Sequence, residues 1–451
     1  MLPKVNRRTF NRAGAVTAMG LTALQTSRAL GANDRIRLGV IGVANRGGQL
    51  INAFLHHDDM EIVAICDVAQ STLDKMRDKL SKRNDKPEKA GGKAPPPAVA
   101  PRTYHDFRKL IDQKDIDAVV IATPDHWHPI MTITACRAGK DVYVEKPISY
   151  TIHEGRRMVQ VARETKRVVQ VGTHRRSGNI YKQAVDLVQG GKIGKVTVAR
   201  SYHRSNMYPN GIGHAKPTAP PPDLDWDMWL GPRPSRPFQA TIAPYKFRWW
   251  KEYCSQISNN GVHSLDLIRW MMGTKGPVSV CCMGGKFAVD DDRTIPDTAM
   301  TVFEYPEGWL SMFGMFEANG YQTNARSGWN VELRGTQGVL FATDSQYEIA
   351  PERGGQFQKP APRMEPVKVK STDGNMTVQH TRNFLDCIRS RAVPNADIEE
   401  GHRSTTLALL SKISLAVGQR IEWDLEQERI TNLPEANSLL HYEYRKPWKL
   451  D

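Results

Sequence analysis

The sequence predicts an α/β protein in two parts: a doubly wound parallel sheet, then a second α/β domain with a mainly antiparallel sheet. Three observations predict it. From Arg35 onward, short Val/Ile/Leu runs alternate with helical stretches, and each run ends in a glycine, a proline or an ionisable residue. After about residue 195 the texture changes to paired β-rich runs closed by short turns. The 451 residues also exceed what one ordinary core accommodates.

The first 31 residues have a signal-peptide layout. Basic residues (Lys4, Arg7, Arg8, Arg12) precede a modest apolar stretch from Ala13 to Leu24, and small residues follow at Ala29 and Gly31. "NRRTFNR" (6–12) carries the arginine pair of a twin-arginine signal, with Asn6 and Asn11 departing from its usual residues. The expectation is export to the periplasm by the twin-arginine machinery, a route that carries folded proteins.

The βαβ rhythm then follows. "RIRLGVIG", "EIVAICD", "DAVVIATP", "DVYVEKP" and "VVQVGTH" read as strands buried on both faces, with helices between. Their carboxyl ends converge on one crevice, where such sheets bind ligands. Residues 34–175 form this domain. The Pro-, Gly- and Lys-rich stretch 84–101 interrupts it as an extended loop. Residues 176–451 form the second domain. "DTAMTVFEYPEGWLSMFGMFEA" and "NVELRGTQGVLFATD" read as hairpins, and 377–418 returns to helical periodicity, late helices that are expected to pack back on the first domain.

Net charge is +14, but no long Lys/Arg run follows the N-terminus. A solvated basic surface explains the surplus better than nucleic-acid binding. The six cysteines show no C-x-x-C spacing, which argues against a metal site. No apolar run is long enough for a membrane span.

"GVANRG" (42–47) is a dinucleotide-binding fingerprint with Ala44 at the middle glycine. It follows a strand and opens a helix. Gly42 makes the turn, and Gly47 permits close helix–strand packing. Asp67 ends the next strand, 20 residues beyond Gly47. A carboxylate there accepts from ribose hydroxyls and repels a 2′-phosphate, so NAD is favoured over NADP. Asp67 as a helix cap is the plainer alternative. Arg46 is placed to reach a phosphate and leaves NADP open.

"GVIGVANRG", "AICD", "VVIATPDHWH" and "VYVEKPIS", in that order, resemble the Gfo/Idh/MocA family of glucose–fructose oxidoreductase and inositol dehydrogenase relatives. "VGTHRRSGNIYKQAVDLVQGGKIGKV" and "NNGVHSLDLIRWMMG" extend the resemblance to residue 425 or so. It implies a Rossmann domain, a C-terminal domain whose large open sheet often builds oligomers (here a homodimer or tetramer), and a sugar or cyclitol substrate.

The resemblance makes Lys146 the catalytic lysine. A lysine beside the nicotinamide would have a lowered pKa and share in proton transfer; outside the motif it reads as a surface lysine. It also makes His263 the second catalytic group, with Asn259 at the position of the family's aspartate. Four-residue spacing puts Asn259 and His263 on one helix face. A helix N-terminus would hold His263 neutral; a packed core histidine is the alternative. Asp266 would support His263 or lie on the surface. The expected cofactor-binding set is Gly42, Ala44, Asn45, Arg46, Gly47, Asp67, Thr123, Pro124, Trp127, His128, Glu145, Lys146 and His174. The expected substrate set is Arg176, Trp250, Asn259 and His263, with Trp249 and Trp250 offering aromatic faces to a sugar ring or to the core.

An exported dinucleotide enzyme cannot draw on a free cofactor pool. Its NAD is therefore expected to be loaded before export, retained, and recycled in place. The hydride returns either to a second carbonyl substrate or to the same sugar after loss of its C1 group, giving a redox-neutral glycosidase. A sugar- or NAD-binding protein without turnover is the remaining alternative.

Overall fold

The computed structural model describes residues 35–82, 100–321 and 329–451. The expected signal peptide (1–31) and nearly all of the 84–101 loop lie outside the described residues.

In the first domain the elements are β1 (Ile36–Ile41), α1 (Asn45–Phe54), β2 (Met60–Cys66), α2 (Gln70–Ser81), β3 (Arg102–Tyr104), α3 (Phe107–Ile111), β4 (Ala118–Ile121), α4 (His128–Arg137), β5 (Asp141–Val144), α5 (Ile152–Glu164) and β6 (Val169–Val171). The strands are all parallel, in the order β3-β2-β1-β4-β5-β6. This is the doubly wound arrangement that the Val/Ile runs predict. All four residues of β4 and of β5 are buried, because helices cover both sheet faces. The strand order reverses between β1 and β4, which opens the crevice at their carboxyl ends.

The second domain contains α6 (Asn179–Gln189), β7 (Val196–Arg204), α7 (Trp226–Leu230), α8 (Val262–Met272), β8 (Ser279–Gly285), β9 (Thr298–Tyr305), β10 (Trp309–Phe316), β11 (Val331–Gly335), β12 (Gly338–Ala342), β13 (Gln346–Pro351), β14 (Val367–Lys370), α9 (Met376–Ser390), α10 (Ile398–Val417), β15 (Ile421–Asp424) and β16 (Arg429–Ile430). Its ten strands run β14-β13-β12-β11-β7-β10-β9-β8-β15-β16, and β7 and β10 are the parallel pair. Alternation along β9 shows why the sheet is open. Ala299, Thr301, Phe303 and Tyr305 are buried under the helices, while Met300, Val302 and Glu304 turn to the other face.

Two later helices join the domains. Phe384 of α9 packs edge-on against Phe54 and Tyr143 of the first domain, at ring distances of 6.3 and 5.8 Å. Arg156 of α5 pairs with Glu399 of α10 and with Glu428. A separate aromatic core, with Trp226 stacked on Trp229 at 4.8 Å, lies under the loops between β7 and α8.

Candidate active site

The crevice is a cleft of about 210 Å³ that opens to solvent. Its floor is the fingerprint loop. Gly42 has φ +80°, and a Cβ there would sit 2.8 Å from the Ala122 carbonyl. A Cβ on Gly47 would sit 1.8 Å from the Gly42 carbonyl, so only glycine lets α1 come this close to β1. Ala44 has φ −70° and is exposed, and its methyl group costs nothing there. As N-cap of α1, Ala44 supplies no side-chain acceptor, and the first turn holds no acid. The positive end of α1 therefore borders the cleft with its N–H groups uncapped, a ready anion site.

Gly42, Ala44, Asn45, Arg46, Asp67, Thr123, Pro124 and Trp127 all line the cleft. Asp67 accepts from the Val43 N–H at 3.0 Å and the Ala69 N–H at 3.1 Å. It thus ties the fingerprint loop to the end of β2 rather than capping α2, whose N-cap is Ala69. Burial pushes its carboxyl above the usual range. His128 stands behind the wall, with its ring nitrogens 2.7 Å from the Pro147 carbonyl and 2.9 Å from that of Thr123. It holds the ends of β4 and β5 together.

The opposite wall comes from the second domain: Leu224, Met228, Trp229, Tyr245, Phe247 and Arg248. Sequence reading singled out Trp249 and Trp250 in this region. The short helical turn Lys246–Trp249 instead presents Phe247 and Arg248 to the cleft.

Arg46 leads from the cleft to a half-buried polar cluster. Its Nε donates to Glu145 at 2.8 Å. Burial alone would raise the Glu145 carboxyl, but Arg46 and Lys146 outweigh it and hold it low. Lys146 Nζ donates to the Asn259 carbonyl at 2.7 Å and to Asn259 Oδ1 at 3.2 Å. Burial lowers the Lys146 amine below the usual lysine range, against the opposing pull of Glu145 and Asp125. His263 is held well below the usual histidine range, first by burial and then by Lys146, Arg175 and His174. Burial likewise takes His174 down to about 4. The His174 and His263 rings meet edge-on at 5.4 Å, and neither Nδ1 has a hydrogen-bond partner among the described residues. Neutral imidazoles with open nitrogens are what a proton acceptor requires.

Some expectations are corrected here. Asn259 lies in a π-helical turn, Ile257–Gly261, ahead of α8. Asn259 meets Lys146 there, and Lys146 also acts on His263. Arg176, an expected substrate residue, is buried and grips Asp266 through Nε and Nη2 at 2.8–3.0 Å. Asp266 is thereby committed to Arg176, not to His263. Trp250, also expected at the substrate, is buried and donates from Nε1 to the Thr241 carbonyl. Its ring carries the Arg236 guanidinium at 4.7 Å. Asn260, Gln256 and His203 were missed: Asn260 Nδ2 donates to Gln256 Oε1 at 2.7 Å and lies 3.4 Å from His203 Nε2. No sequence signal marks them, since the π-helical turn and β7 meet only in three dimensions.

A family model described as "Oxidoreductase family, NAD-binding Rossmann fold" matches residues 36–173. Its companion, "Oxidoreductase family, C-terminal alpha/beta domain", matches residues 240–421. The chain belongs to the Gfo/Idh/MocA oxidoreductase family.

Curated relatives match a smaller part. A "Glycosyl hydrolase family 109 protein" of Shewanella baltica is 32% identical over 163 residues, which is 36% of this chain and 34% of the relative. An "Alpha-N-acetylgalactosaminidase" of Shewanella oneidensis is 30% identical over 161 residues, 36% of this chain and 33% of the relative. The chain thus spans about a third of the length of these relatives. Among solved structures, the WlbA dehydrogenase from Bordetella pertussis in complex with NADH and UDP-GlcNAcA has a TM-score of 0.61. It is 19% identical, and the match covers 86% of this chain and 99% of that one, a likeness of fold. The glycine cradle, the uncapped end of α1 and Asp67 in this Gfo/Idh/MocA protein fit the dinucleotide that the family implies. Among the described residues no three metal-ligating side chains converge, and no helix is long and apolar enough to cross a membrane.

Proposed function

We propose that this chain is an exported NAD-dependent oxidoreductase acting on a sugar, glycoside or cyclitol, with its cofactor retained and recycled. The observation that carries the reading is the half-buried cluster of Lys146, Asn259, His263 and His174 beside the cleft. The fingerprint loop, α1 and Asp67 would hold the dinucleotide, and Asp67 favours NAD by repelling a 2′-phosphate. When bound, the nicotinamide supplies the hydride acceptor. A secondary alcohol that loses a hydride must also lose its hydroxyl proton. Lys146 and His263, both held below their usual ranges, are the groups that take it. Asn259 fixes the Lys146 amine.

The curated relatives favour a second form of the same chemistry, a redox-neutral glycosidase. A carbonyl at C3 acidifies the C2 hydrogen and eases loss of the C1 substituent; hydration and return of the hydride then complete the cycle. Arg7-Arg8 supports export. The open sheet face supports a homo-oligomer: it leaves Met283 74% and Leu310 41% exposed.

The deciding experiment incubates the purified protein with p-nitrophenyl glycosides in D2O without added cofactor. The glycosidase form releases nitrophenol over many turnovers and places deuterium at C2. A rise of the bound nicotinamide's near-UV absorbance without nitrophenol release supports the oxidoreductase form. Neither signal across a panel of sugars, with cofactor confirmed in the site, would overturn the proposal.

A further inference from the structure

A second cavity, of about 500 Å³ and open to solvent, shares no lining residue with the cofactor cleft. It lies between the start of α5, the later half of α10 and the 294–296 loop. Its wall is mostly apolar: Ile257, Ile295, Met315, Leu409 and Ile413 are all buried.

One group does not belong in such a wall. Arg233 is only 8% exposed, yet its Nε and Nη1 have no hydrogen-bond partner among the described residues. The guanidinium lies against two mutually perpendicular rings, 4.4 Å from Tyr150 and 4.2 Å from Tyr442. Aromatic faces fix a cation, but they leave its N–H donors open. A buried donor without an acceptor is costly, and a charge-assisted bond to an anion offsets that cost. Lys412 adds a second positive charge, its Nζ 4.1 Å from the Tyr150 ring, and Lys251 adds a third at the wall. Glu252 is the wall's acid, and its Oε2 already accepts from Thr294 at 3.1 Å.

We propose that this cavity binds an amphipathic organic anion, a carboxylate head on Arg233 with an apolar body against the isoleucine and leucine wall. An inorganic anion would leave the apolar wall unused, and a neutral sugar would leave the open Nε and Nη1 donors of Arg233 without a charged acceptor. The site stands independently of the role given to Lys146.

Octanoate, acetate and octan-1-ol are titrated calorimetrically into the full chain. Octanoate is expected to bind saturably, at least 10-fold more tightly than octan-1-ol or acetate. Arg233→Gln is expected to weaken octanoate at least 10-fold and to erase its advantage over the alcohol. Leu409→Trp, which fills the apolar wall, is expected to weaken octanoate as well. Cofactor content of each variant reports its fold. No saturable octanoate binding, equal binding of octan-1-ol, or undiminished binding by folded Arg233→Gln overturns the proposal. Should Arg233→Gln fail to fold, the comparison of acid with alcohol on the unaltered protein still decides.

Discussion

The amine of Lys146 is fixed at two points, both on Asn259. Lys146→Ala removes the proton acceptor without touching a packed core, so turnover should fall ~10²–10⁴-fold while cofactor content and melting temperature stay near those of the parent. Assays of all three on one preparation test this, and retained activity removes Lys146 from the mechanism. Asn259→Asp places a carboxylate beside the same amine. An opposite charge at that range raises a lysine pKa by about 1–3 units. The limb of the kcat/KM profile that reports deprotonated Lys146 should therefore move to higher pH. Superimposable profiles would show that Lys146 does not titrate in turnover.

At the scale of elements, the β1–α1 turn is tightly constrained. Gly47→Ala drives a methyl group into the Gly42 carbonyl, so either the loop or the helix must shift. The variant should lose its bound dinucleotide, and nucleotide released on denaturation measures this. Ala44→Gly is the control, since that methyl is exposed, and it should keep its cofactor. The cleft's outer aromatic wall has its own support. Trp448 meets Trp127 edge-on at 4.7 Å and stacks with Phe107 at 6.2 Å. Trp448→Ala should speed cofactor loss on dilution without abolishing binding, because Trp127 keeps its bond to the Trp229 carbonyl.

Across the whole molecule, stability should fall in mild acid. His126, His174 and His380 are pushed by burial to about 3, 4 and 3. Their folded values lie below the unfolded one of about 6.5. Above that pH both states are neutral and the stability is fully present. Below it the unfolded chain takes up protons that the folded chain refuses, and stability is lost toward pH 4. At pH 5 each histidine should cost about 2 kcal/mol by linkage. Urea unfolding between pH 7 and pH 5 checks the slope, and His380→Asn should flatten it. The open sheet face makes a different prediction: Leu310→Glu should lower the mass seen by light scattering if that face joins copies of the chain.

The sequence by itself determined the first sheet and the cofactor loop, and a family resemblance pointed to Lys146 and His263. Those signals are local: a Val/Ile run buried on both faces, a glycine whose Cβ would strike a carbonyl, a motif at a strand end. The two later hairpins were legible for the same reason, since their registers close over short turns. Tertiary structure alone decided what the long polar loops do. Trp249, Trp250, Phe247 and Arg248 are neighbours in sequence, and only the helical turn at 246–249 sends Phe247 and Arg248 into the cleft while Trp250 enters the core. Arg176 looked like a ligand because it ends a strand, but Asp266, 90 residues on, claims its guanidinium. The contact of Asn259 with Lys146, 113 residues earlier, has no sequence signal of its own. In each case the partner lies far along the chain or depends on a turn geometry that composition does not encode, and the Lys146–Asn259 pairing exists only once the two domains have met at the cleft.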